Sequence, residues 1–242
     1  MLTEIRAEKL FDGLADRPLP HRTVVIEDER IEAVVSDDPA LPEGSARLET
    51  PVLAPGLIDM QINGAGDRLF NDAPTVETIE IIAASARLGG AAYVLPTFIT
   101  AKGKAFRQAL EAVNDARERR IDGVLGLHLE GPFLSPKRPG IHDHSAIRPV
   151  EKDDLDALVV ERQSIRLITL APEEQPDGVI KRLADTGWVV FAGHSEATLN
   201  QMRRAADAGI SGITHLFNAM SQITPREPGV VGSAFDDRRL FA

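Results

Sequence analysis

Two stretches decide how this chain folds: Trp188-Val-Val-Phe-Ala-Gly-His-Ser-Glu-Ala-Thr198 and Gly209-Ile-Ser-Gly-Ile-Thr-His-Leu-Phe-Asn-Ala-Met220. Each begins with a short apolar run that meets a small or hydroxyl residue and then, immediately, a histidine. Apolar runs of this length are typical of buried strands. A histidine at the mouth of such a strand can point its imidazole into a cleft while its backbone stays fixed in the sheet. We therefore expect His194 and His215 to be a pair of metal ligands.

A third ligand is expected upstream, where the apolar run Val124–Leu129 ends in Glu130-Gly131-Pro132. A carboxylate buried at the end of a strand requires a partner, and a metal ion is a suitable one. Two imidazoles and one carboxylate are typical ligands of zinc, or of a similar divalent ion that keeps an open position for water. His128 lies on the same strand face as Glu130, so we expect it to pack inside the sheet or to support the ligands.

From residue 51 to residue 242, apolar strands alternate with helices, which indicates an α/β domain whose parallel sheet is covered on both faces. The predicted strands are Val52–Met60, Ala91–Leu95, Val124–Leu129, Ile165–Leu170, Trp188–Ala192 and Gly209–Thr214. The predicted helices are Thr75–Leu88, Lys102–Arg119, Asp153–Glu161, Pro176–Thr186 and Leu199–Ala208.

A doubly wound open sheet and a (β/α)8 TIM barrel both fit this alternation. Candidate polar residues follow the first, third, fifth and sixth strands, and a barrel gathers its strand ends around one mouth. The barrel is therefore the preferred interpretation. About six βα units are recognisable, which do not close a barrel of eight strands, so we expect exposed strand edges and a tendency to aggregate.

Residues 1–50 have the alternation of a small β module. A first run closes at Leu10, and Thr23–Glu27 returns as Ile31–Val35, which predicts a hairpin. The acidic, proline-containing segment Asp37–Gly44 is predicted to be a loop. The module is too short to hold a core alone.

Composition excludes several classes of protein. The 242 residues carry a net charge of −10, which argues against binding to nucleic acid or to anionic membranes. There is no cysteine, so neither a disulfide nor a thiolate metal site can form. The sequence contains no apolar run of about 18 residues and does not begin like a signal peptide, so we expect a cytoplasmic protein.

Other polar groups are expected around the mouth. Gln61 and Asn63 project in the same direction from the end of the first strand. Amides are poor zinc ligands, so we expect one tightly held metal ion with these two side chains as hydrogen-bonding groups around it. The alternative is that the two amides only tie the strand end to its neighbours. His142 lies in a loop with basic residues and is a candidate for holding or polarising a substrate. A phosphate-binding site is expected after the sixth strand. It would consist of Asn218, the backbone N–H groups after it, and Arg226 in a proline-flanked turn.

Together, these motifs resemble the N-acetylglucosamine-6-phosphate deacetylase family of the amidohydrolase superfamily. The resemblance runs from residue 55 to residue 229 in the family's order, and it rests on Pro55-Gly-Leu-Ile-Asp-Met-Gln-Ile-Asn-Gly64, Leu95-Pro-Thr-Phe-Ile-Thr100, His128-Leu-Glu-Gly-Pro132, Gly193-His-Ser-Glu-Ala-Thr198, Thr214-His-Leu-Phe-Asn-Ala-Met220 and Arg226-Glu-Pro-Gly229.

The resemblance implies a (β/α)8 barrel with a small β-sandwich built from both chain ends. It implies a homodimer, and one divalent metal ion on Glu130, His194 and His215: zinc first, with iron, cobalt, manganese or magnesium as alternatives. His142 would contact the substrate near its acetamido group, with the backbone of Ile141 beside it. The sugar phosphate would be bound by Asn218, Ala219 and Arg226. The implied reaction hydrolyses N-acetylglucosamine 6-phosphate to glucosamine 6-phosphate and acetate.

The chain departs from the family at the general base, which the family takes from an aspartate on a later strand, beyond Ala242. Asp236 and Asp237 follow Gly232-Ser-Ala-Phe235 and precede two arginines, which is the wrong context for that aspartate. Three alternatives therefore stay open: an N-acetylgalactosamine-6-phosphate deacetylase, another amidohydrolase such as a cyclic-amide hydrolase, and a metal-binding fragment without catalysis. A cyclic-amide hydrolase would be expected to carry His-x-His at residues 61–63, and this chain does not.

Overall fold

The computed structural model describes residues 2–36, 44–160 and 164–242. The chain divides into two compact units, Met1–Leu57 and Ile58–Ala242. The first unit contains the predicted β module of residues 1–50 together with the end of its fourth strand at Leu53. Two predicted features lie outside the described residues: the loop Asp37–Gly44, apart from Gly44, and Glu161 at the end of a predicted helix.

The described part of the first unit is a four-stranded sheet. Its strands are β1 (Leu2–Leu10), β2 (Leu19–Glu27), β3 (Arg30–Val35) and β4 (Ala46–Leu53), in the order β3-β2-β1-β4. β2 and β3 form the antiparallel hairpin that the sequence predicts, and β4 pairs with β1 in parallel.

The second unit contains the remaining elements. Its strands are β5 (Leu57–Ile62), the two-residue strands β6 (Gly64–Ala65) and β7 (Arg68–Leu69), β8 (Ala91–Ile99), β9 (Gly126–Glu130), β10 (Ile165–Leu170), β11 (Val189–Ala192) and β12 (Ile210–Ile213). Its helices are α1 (Val76–Leu88), α2 (Phe106–Glu118), α3 (Lys152–Leu158), α4 (Val179–Asp185), α5 (Leu199–Ala208) and α6 (Gly229–Asp236). Among the described helices, none is both long and apolar enough to cross a lipid bilayer.

The long strands form one sheet in the order β5-β8-β9-β10-β11-β12, so each lies beside the next long strand along the chain. The pairs from β8 to β12 are parallel. A doubly wound sheet reverses its strand order at a switch point, and this order never reverses. The sheet is therefore the curled parallel sheet of a (β/α)8 barrel, as predicted, with six strands of the circle.

Local signals place the helices where the sequence predicts them. The Thr75 side chain caps α1 by accepting from the N–H of Thr78, and Gly89 ends this helix. Thr198 and Gln201 form a reciprocal capping box at the start of α5. Because α5 starts soon after His194, this cap fixes the far end of the loop that carries the histidine.

The first predicted barrel strand is corrected. Val52–Met60 is two strands in two sheets, because the ladder breaks at Ala54-Pro55-Gly56, where proline lacks the N–H that a ladder requires. β5 is also an edge strand, and its Leu57, Ile58 and Met60 are each more than half exposed rather than buried.

Other elements differ from the prediction as well. β8 continues through Pro96 to Ile99, since its last residues pair with β9. The helix predicted from Lys102 begins at Phe106, after a turn in which Gly103 has a positive φ. The sequence pattern does not predict α6, because its segment contains two glycines, which are poor helix formers.

Candidate metal centre

Three strand ends bring Glu130, His194 and His215 together at one end of the sheet. Glu130 is the last residue of β9, and the two histidines lie just beyond β11 and β12. Glu130 Oε1 lies 3.0 Å from Nε2 of His215 and 3.4 Å from Nε2 of His194. The two imidazole nitrogens are 3.0 Å apart. The three predicted ligands thus form one compact group, which we call the metal cluster.

In each imidazole, the partner of Nδ1, the outer nitrogen that faces away from the cluster, shows where the ring proton lies. Nδ1 of His194 is 2.8 Å from the backbone carbonyl oxygen of Arg138, and Nδ1 of His215 is 3.1 Å from that of Asn218. A carbonyl oxygen only accepts, so both Nδ1 atoms carry the proton and both Nε2 atoms present lone pairs. Two nitrogen lone pairs and a carboxylate oxygen therefore face one another. This donor set fits a divalent metal ion, and its outer hydrogen bonds are those that orient histidine ligands.

The cluster also attracts positive charge. Burial alone would raise the pKa of Glu130, but the imidazoles of His194 and His215 beside its carboxylate hold that pKa well below its usual range. Burial alone would lower the pKa of His215, but the neighbouring Glu130 carboxylate outweighs burial and raises it. Both shifts keep a negative charge on the carboxylate and favour a cation beside it.

The backbone of both histidine ligands is left-handed, with φ of 48° at His194 and 38° at His215. Residues other than glycine avoid this region, at a cost of about 1 kcal/mol each. Phe217 and Ala219 are left-handed as well, with φ of 75° and 49°. Strain of this kind collects at functional sites, where the surrounding structure holds it in place.

Of the two predicted amides, Gln61 reaches the metal cluster. Its Nε2 donates to Oε2 of Glu130 over 2.9 Å, so it occupies the carboxylate oxygen that does not contact His215. Asn63 acts through its backbone, whose carbonyl accepts from the N–H of Phe70. Of the two interpretations, hydrogen bonding around the ligands describes Gln61, and the role of the Asn63 amide stays a prediction.

His142 is buried beside the metal cluster, although its sequence context is that of an exposed loop. Its Nε2 lies 3.9 Å from Oε2 of Glu130, and its ring packs edge-on against that of His194, with centroids 4.3 Å apart. Burial, assisted by the neighbouring His194, lowers the pKa of His142 to about 4, so the ring is neutral at pH 7. The adjacent Ile141 side chain is exposed.

His128 belongs to a different set of contacts, on the inner wall of the sheet. Its Nε2 is 2.8 Å from Thr169 Oγ1, which is 2.6 Å from Thr214 Oγ1, and its Nδ1 is 3.4 Å from Thr97 Oγ1. Burial lowers the pKa of His128 to about 4. We call these four buried residues the wall network.

Comparison with known proteins identifies the relatives of this chain. No family model matches it. It is 38% identical over 195 residues to N-acetylgalactosamine-6-phosphate deacetylase of Shewanella sp. (strain ANA-3), an alignment that covers 81% of this chain. It is 35% identical over 223 residues to N-acetylglucosamine-6-phosphate deacetylase of Haemophilus influenzae, which covers 88%. The crystal structure of N-acetylglucosamine-6-phosphate deacetylase from Pasteurella multocida matches 98% of this chain with a TM-score of 0.86 at 31% identity.

The chain belongs to the N-acetylglucosamine-6-phosphate deacetylase family. It spans about half the length of the curated relatives it matches, 50% of the Shewanella protein and 56% of the Haemophilus protein, and 62% of the Pasteurella structure.

In this member of the deacetylase family, the residues expected to bind phosphate lie after β12. The carbonyl that accepts from His215 is that of Asn218, so residues 218 and 219 lie directly beside a metal ligand. Asn218 is exposed, Ala219 is half-buried, and Arg226 is exposed without a hydrogen bond or ion pair to the residues that the structure describes. Arg226 is therefore a cation available to a ligand.

The two late aspartates of this deacetylase-family chain are engaged elsewhere. Asp236 is paired with Arg203 at 2.9 Å, and Asp237 with Arg239 at 2.5 Å. These ion pairs agree with the sequence context, which argues against either aspartate as the general base.

Sequence reasoning assigns no role to Glu173 or Thr100. Glu173 lies in the turn after β10 and accepts from Ser195 Oγ at 2.6 Å and from the N–H of Glu196, the two residues that follow His194. Thr100, directly after β8, contacts His142. The signal that indicates Glu130, a polar residue directly after a buried strand, applies to Thr100 but not to Glu173, which lies three residues beyond β10.

Proposed function

We propose that this chain contributes the metal centre of a hydrolase that converts N-acetylglucosamine 6-phosphate to glucosamine 6-phosphate and acetate. The observation that carries the proposal is the metal cluster, in which Glu130, His194 and His215 present lone pairs to one another at 3.0–3.4 Å. Relatives named for this deacetylation support it, since they align with most of the chain. The solved relatives include the Mycobacterium smegmatis enzyme, as an aspartate-to-alanine variant in complex with N-acetyl-D-glucosamine-6-phosphate.

In this proposal the metal cluster holds one divalent ion, and its two imidazoles and one carboxylate suit zinc first. A bound ion would supply Lewis acidity towards the acetyl carbonyl and acidify a water molecule towards a pKa of about 7. Gln61 holds the second carboxylate oxygen of Glu130, which orients the ligand. The neutral ring of His142 lies next to Glu130, where it would contact the acetamido group of the substrate, with the Ile141 backbone beside it.

The substrate phosphate would be bound by the segment after β12. Asn218 and Ala219 offer a side-chain amide and backbone N–H groups, and Arg226 offers a guanidinium that is unpaired among the residues the structure describes. A guanidinium and fixed N–H groups are a good receptor for a phosphate. Asn63, at the end of β5, would contact the sugar. We further propose a homodimer, on the family resemblance, and the cytoplasmic location expected from the sequence.

The metal site is tested by Glu130→Gln, which removes the charge and nearly keeps the shape. We expect this variant to lose bound zinc when measured by plasma mass spectrometry after dialysis. Glu174→Gln is the matched control, because Glu174 accepts from Ser135 and does not contact the cluster. Zinc retained at full stoichiometry in Glu130→Gln would overturn the assignment.

The substrate class is tested by Arg226→Ala in an assay of acetate release. Loss of a charge-assisted hydrogen bond of about 1.5–3 kcal/mol predicts a fall of roughly 10–100-fold in kcat/KM for the phosphorylated sugar. The unphosphorylated sugar should be affected far less. Arg119→Ala, at the end of α2, controls for the loss of one positive charge. Equal losses on both sugars would contradict the phosphate role.

Zinc binding without acetate release would favour the alternative of a metal-binding fragment.

A second candidate is hydrolysis of N-acetylgalactosamine 6-phosphate. It is favoured by the relative of that name in Shewanella, whose 38% identity exceeds the 35% of the Haemophilus N-acetylglucosamine-6-phosphate deacetylase. The two sugars differ only in one inverted hydroxyl group. Comparing kcat/KM for the two phosphorylated epimers therefore separates the candidates.

A further inference from the structure

The proton on His142 can be located from its neighbours. Nδ1 of His142 lies 2.8 Å from Oγ1 of Thr100 and 3.4 Å from the backbone nitrogen of the same threonine. A backbone N–H only donates, so Nδ1 must be an acceptor and the neutral ring carries its proton on Nε2. This tautomer is opposite to that of His194 and His215, whose Nδ1 atoms donate to carbonyl oxygens.

We propose that Thr100 is a positioning residue, whose N–H, with the hydroxyl as a second donor to Nδ1, fixes His142 as the Nε2–H tautomer and so makes it a hydrogen-bond donor rather than a metal ligand. The protonated nitrogen faces the site, since Nε2 lies 3.9 Å from Oε2 of Glu130. A metal ion requires a lone pair, so the tautomer excludes His142 from the ligand set although its ring touches that of His194. What the ring can bind through Nε2–H is an acceptor oxygen.

The surrounding residues keep Thr100 and His142 in contact. Ile99 pairs with Glu130 across β8 and β9, which places Thr100 level with Gly131. A Cβ on Gly131 would lie only 2.1 Å from Oγ1 of Thr100, and Gly131 has a φ of 86°, so this position requires glycine. Thr100 and His142 are 7% and 5% exposed, so water has little access to compete for Nδ1. The threonine hydroxyl therefore has the imidazole as its fixed partner.

The inference about the tautomer does not depend on the reaction. Its consequence rests on the proposed function: the acceptor oxygen opposite Nε2–H would be the acetyl carbonyl of the substrate. A donor fixed in advance stabilises charge that develops on such an oxygen. If His142 were free to exchange tautomers, its Nε2 could present a lone pair to the metal ion, and the Nε2–H donor would be lost.

The test is nitrogen NMR of the chain with ¹⁵N-labelled histidine, which distinguishes protonated from unprotonated ring nitrogens. Only six histidines contribute signals. In the parent chain we expect His142 to carry its proton on Nε2. Thr100→Val keeps the shape and the backbone N–H and removes the hydroxyl. It should shift the Nδ1 signal of His142 while the proton stays on Nε2, because a hydroxyl can serve either tautomer and an N–H only one. Thr100→Ser, which restores the hydroxyl, should restore the Nδ1 signal.

The matched control is Thr97→Val, the same change on the same strand. Thr97 contacts Nδ1 of His128, so the control should alter the His128 signals and leave those of His142 unchanged. A proton on Nδ1 of His142 in the parent, or an unchanged Nδ1 signal in Thr100→Val, would overturn the inference. If Thr100→Val does not fold, the parent spectrum and Thr100→Ser decide it.

Zinc titration separates this inference from the proposed function. Added zinc should shift the Nε2 signals of His194 and His215 and leave the His142 Nε2 proton in place. Zinc on His142 Nε2 would overturn the role of Thr100. Failure of all three rings to respond to zinc would overturn the metal centre and leave the tautomer of His142 standing.

Discussion

The metal cluster and the wall network use similar side chains on neighbouring strands of one sheet, but their hydrogen bonds differ in one respect. In the wall network each proton has an acceptor. Thr97 donates to the Leu95 carbonyl, His128 donates to Thr97, and the hydroxyls of Thr169 and Thr214 complete the series. In the metal cluster three acceptors face one another without a proton between them. A ligand histidine is thus recognised by the partner of its outer nitrogen, not by its burial.

The largest expected effect concerns zinc and the metal cluster. At a free zinc concentration about a thousandfold above Kd, binding to the folded chain alone adds about 4 kcal/mol to the free energy of unfolding. His194→Ala should abolish this gain, because two remaining ligands form an incomplete site. His144→Ala, in an exposed loop, should keep it. Chemical denaturation with zinc and with chelator measures both. If zinc stabilised His194→Ala as much as the parent, His194 would not be a ligand and the contrast between the two groups would fail.

The wall network should respond to pH instead. Burial lowers the pKa of His128 from 6.5 to about 4, against the attraction of Glu130. Between these values the unfolded chain binds more protons than the folded one, so the free energy of unfolding falls as the pH is lowered from about 6.5 to about 4, by on the order of 3 kcal/mol for this residue. His142 acts in the same direction, whereas His215, whose pKa is raised, acts in the opposite one.

Denaturation of the parent and of His128→Gln across that pH range, with chelator present, tests this. Since the other histidines are unchanged, the difference between the two chains isolates His128. The variant should lose less stability on acidification than the parent. Parallel pH profiles would show that His128 gains its proton as easily in the folded chain as in the unfolded one.

A smaller effect is expected where a half-buried acid supports the metal cluster without touching it. Glu173 holds Ser195 and the backbone of Glu196, which fixes the turn after the left-handed His194. Glu173→Ala should lower zinc affinity by about 10–100-fold, the usual range for residues that orient ligands. Glu174→Ala is the control, because it loses only the contact with Ser135. Calorimetric titration with zinc measures both, and equal affinities would remove Glu173 from the site.

The sequence predicts the metal cluster because its signal is local. Each ligand follows an apolar strand, and parallel strands end at the same edge, so Glu130, His194 and His215 can be brought together without knowing any distance. The barrel follows from the same reasoning, since an ordered series of βα units places these ends around one mouth.

The parts that the sequence does not predict depend on contacts between distant segments. An apolar run cannot show where the chain leaves one sheet for another, so Val52–Met60 is predicted as one strand. The loop around His142 has a polar composition, and its burial arises from Thr100 and His194, far away along the chain. The role of Glu173 likewise depends on the turn after β10 lying beside the turn after β11.

The smallest effect is expected at the junction of the two groups, where consecutive residues belong to different ones. Thr214 is in the wall network, with its hydroxyl 2.6 Å from that of Thr169, and His215 is in the metal cluster. Thr214→Val should cost about 0.5–1.5 kcal/mol of unfolding free energy, the usual contribution of one hydrogen bond. Zinc affinity should stay within about threefold, because the orientation of His215 depends on the Asn218 carbonyl and on Glu130 rather than on Thr214. A loss of zinc affinity comparable to that of Glu173→Ala would mean that the wall network also orients the ligands, and the two groups would then be one unit.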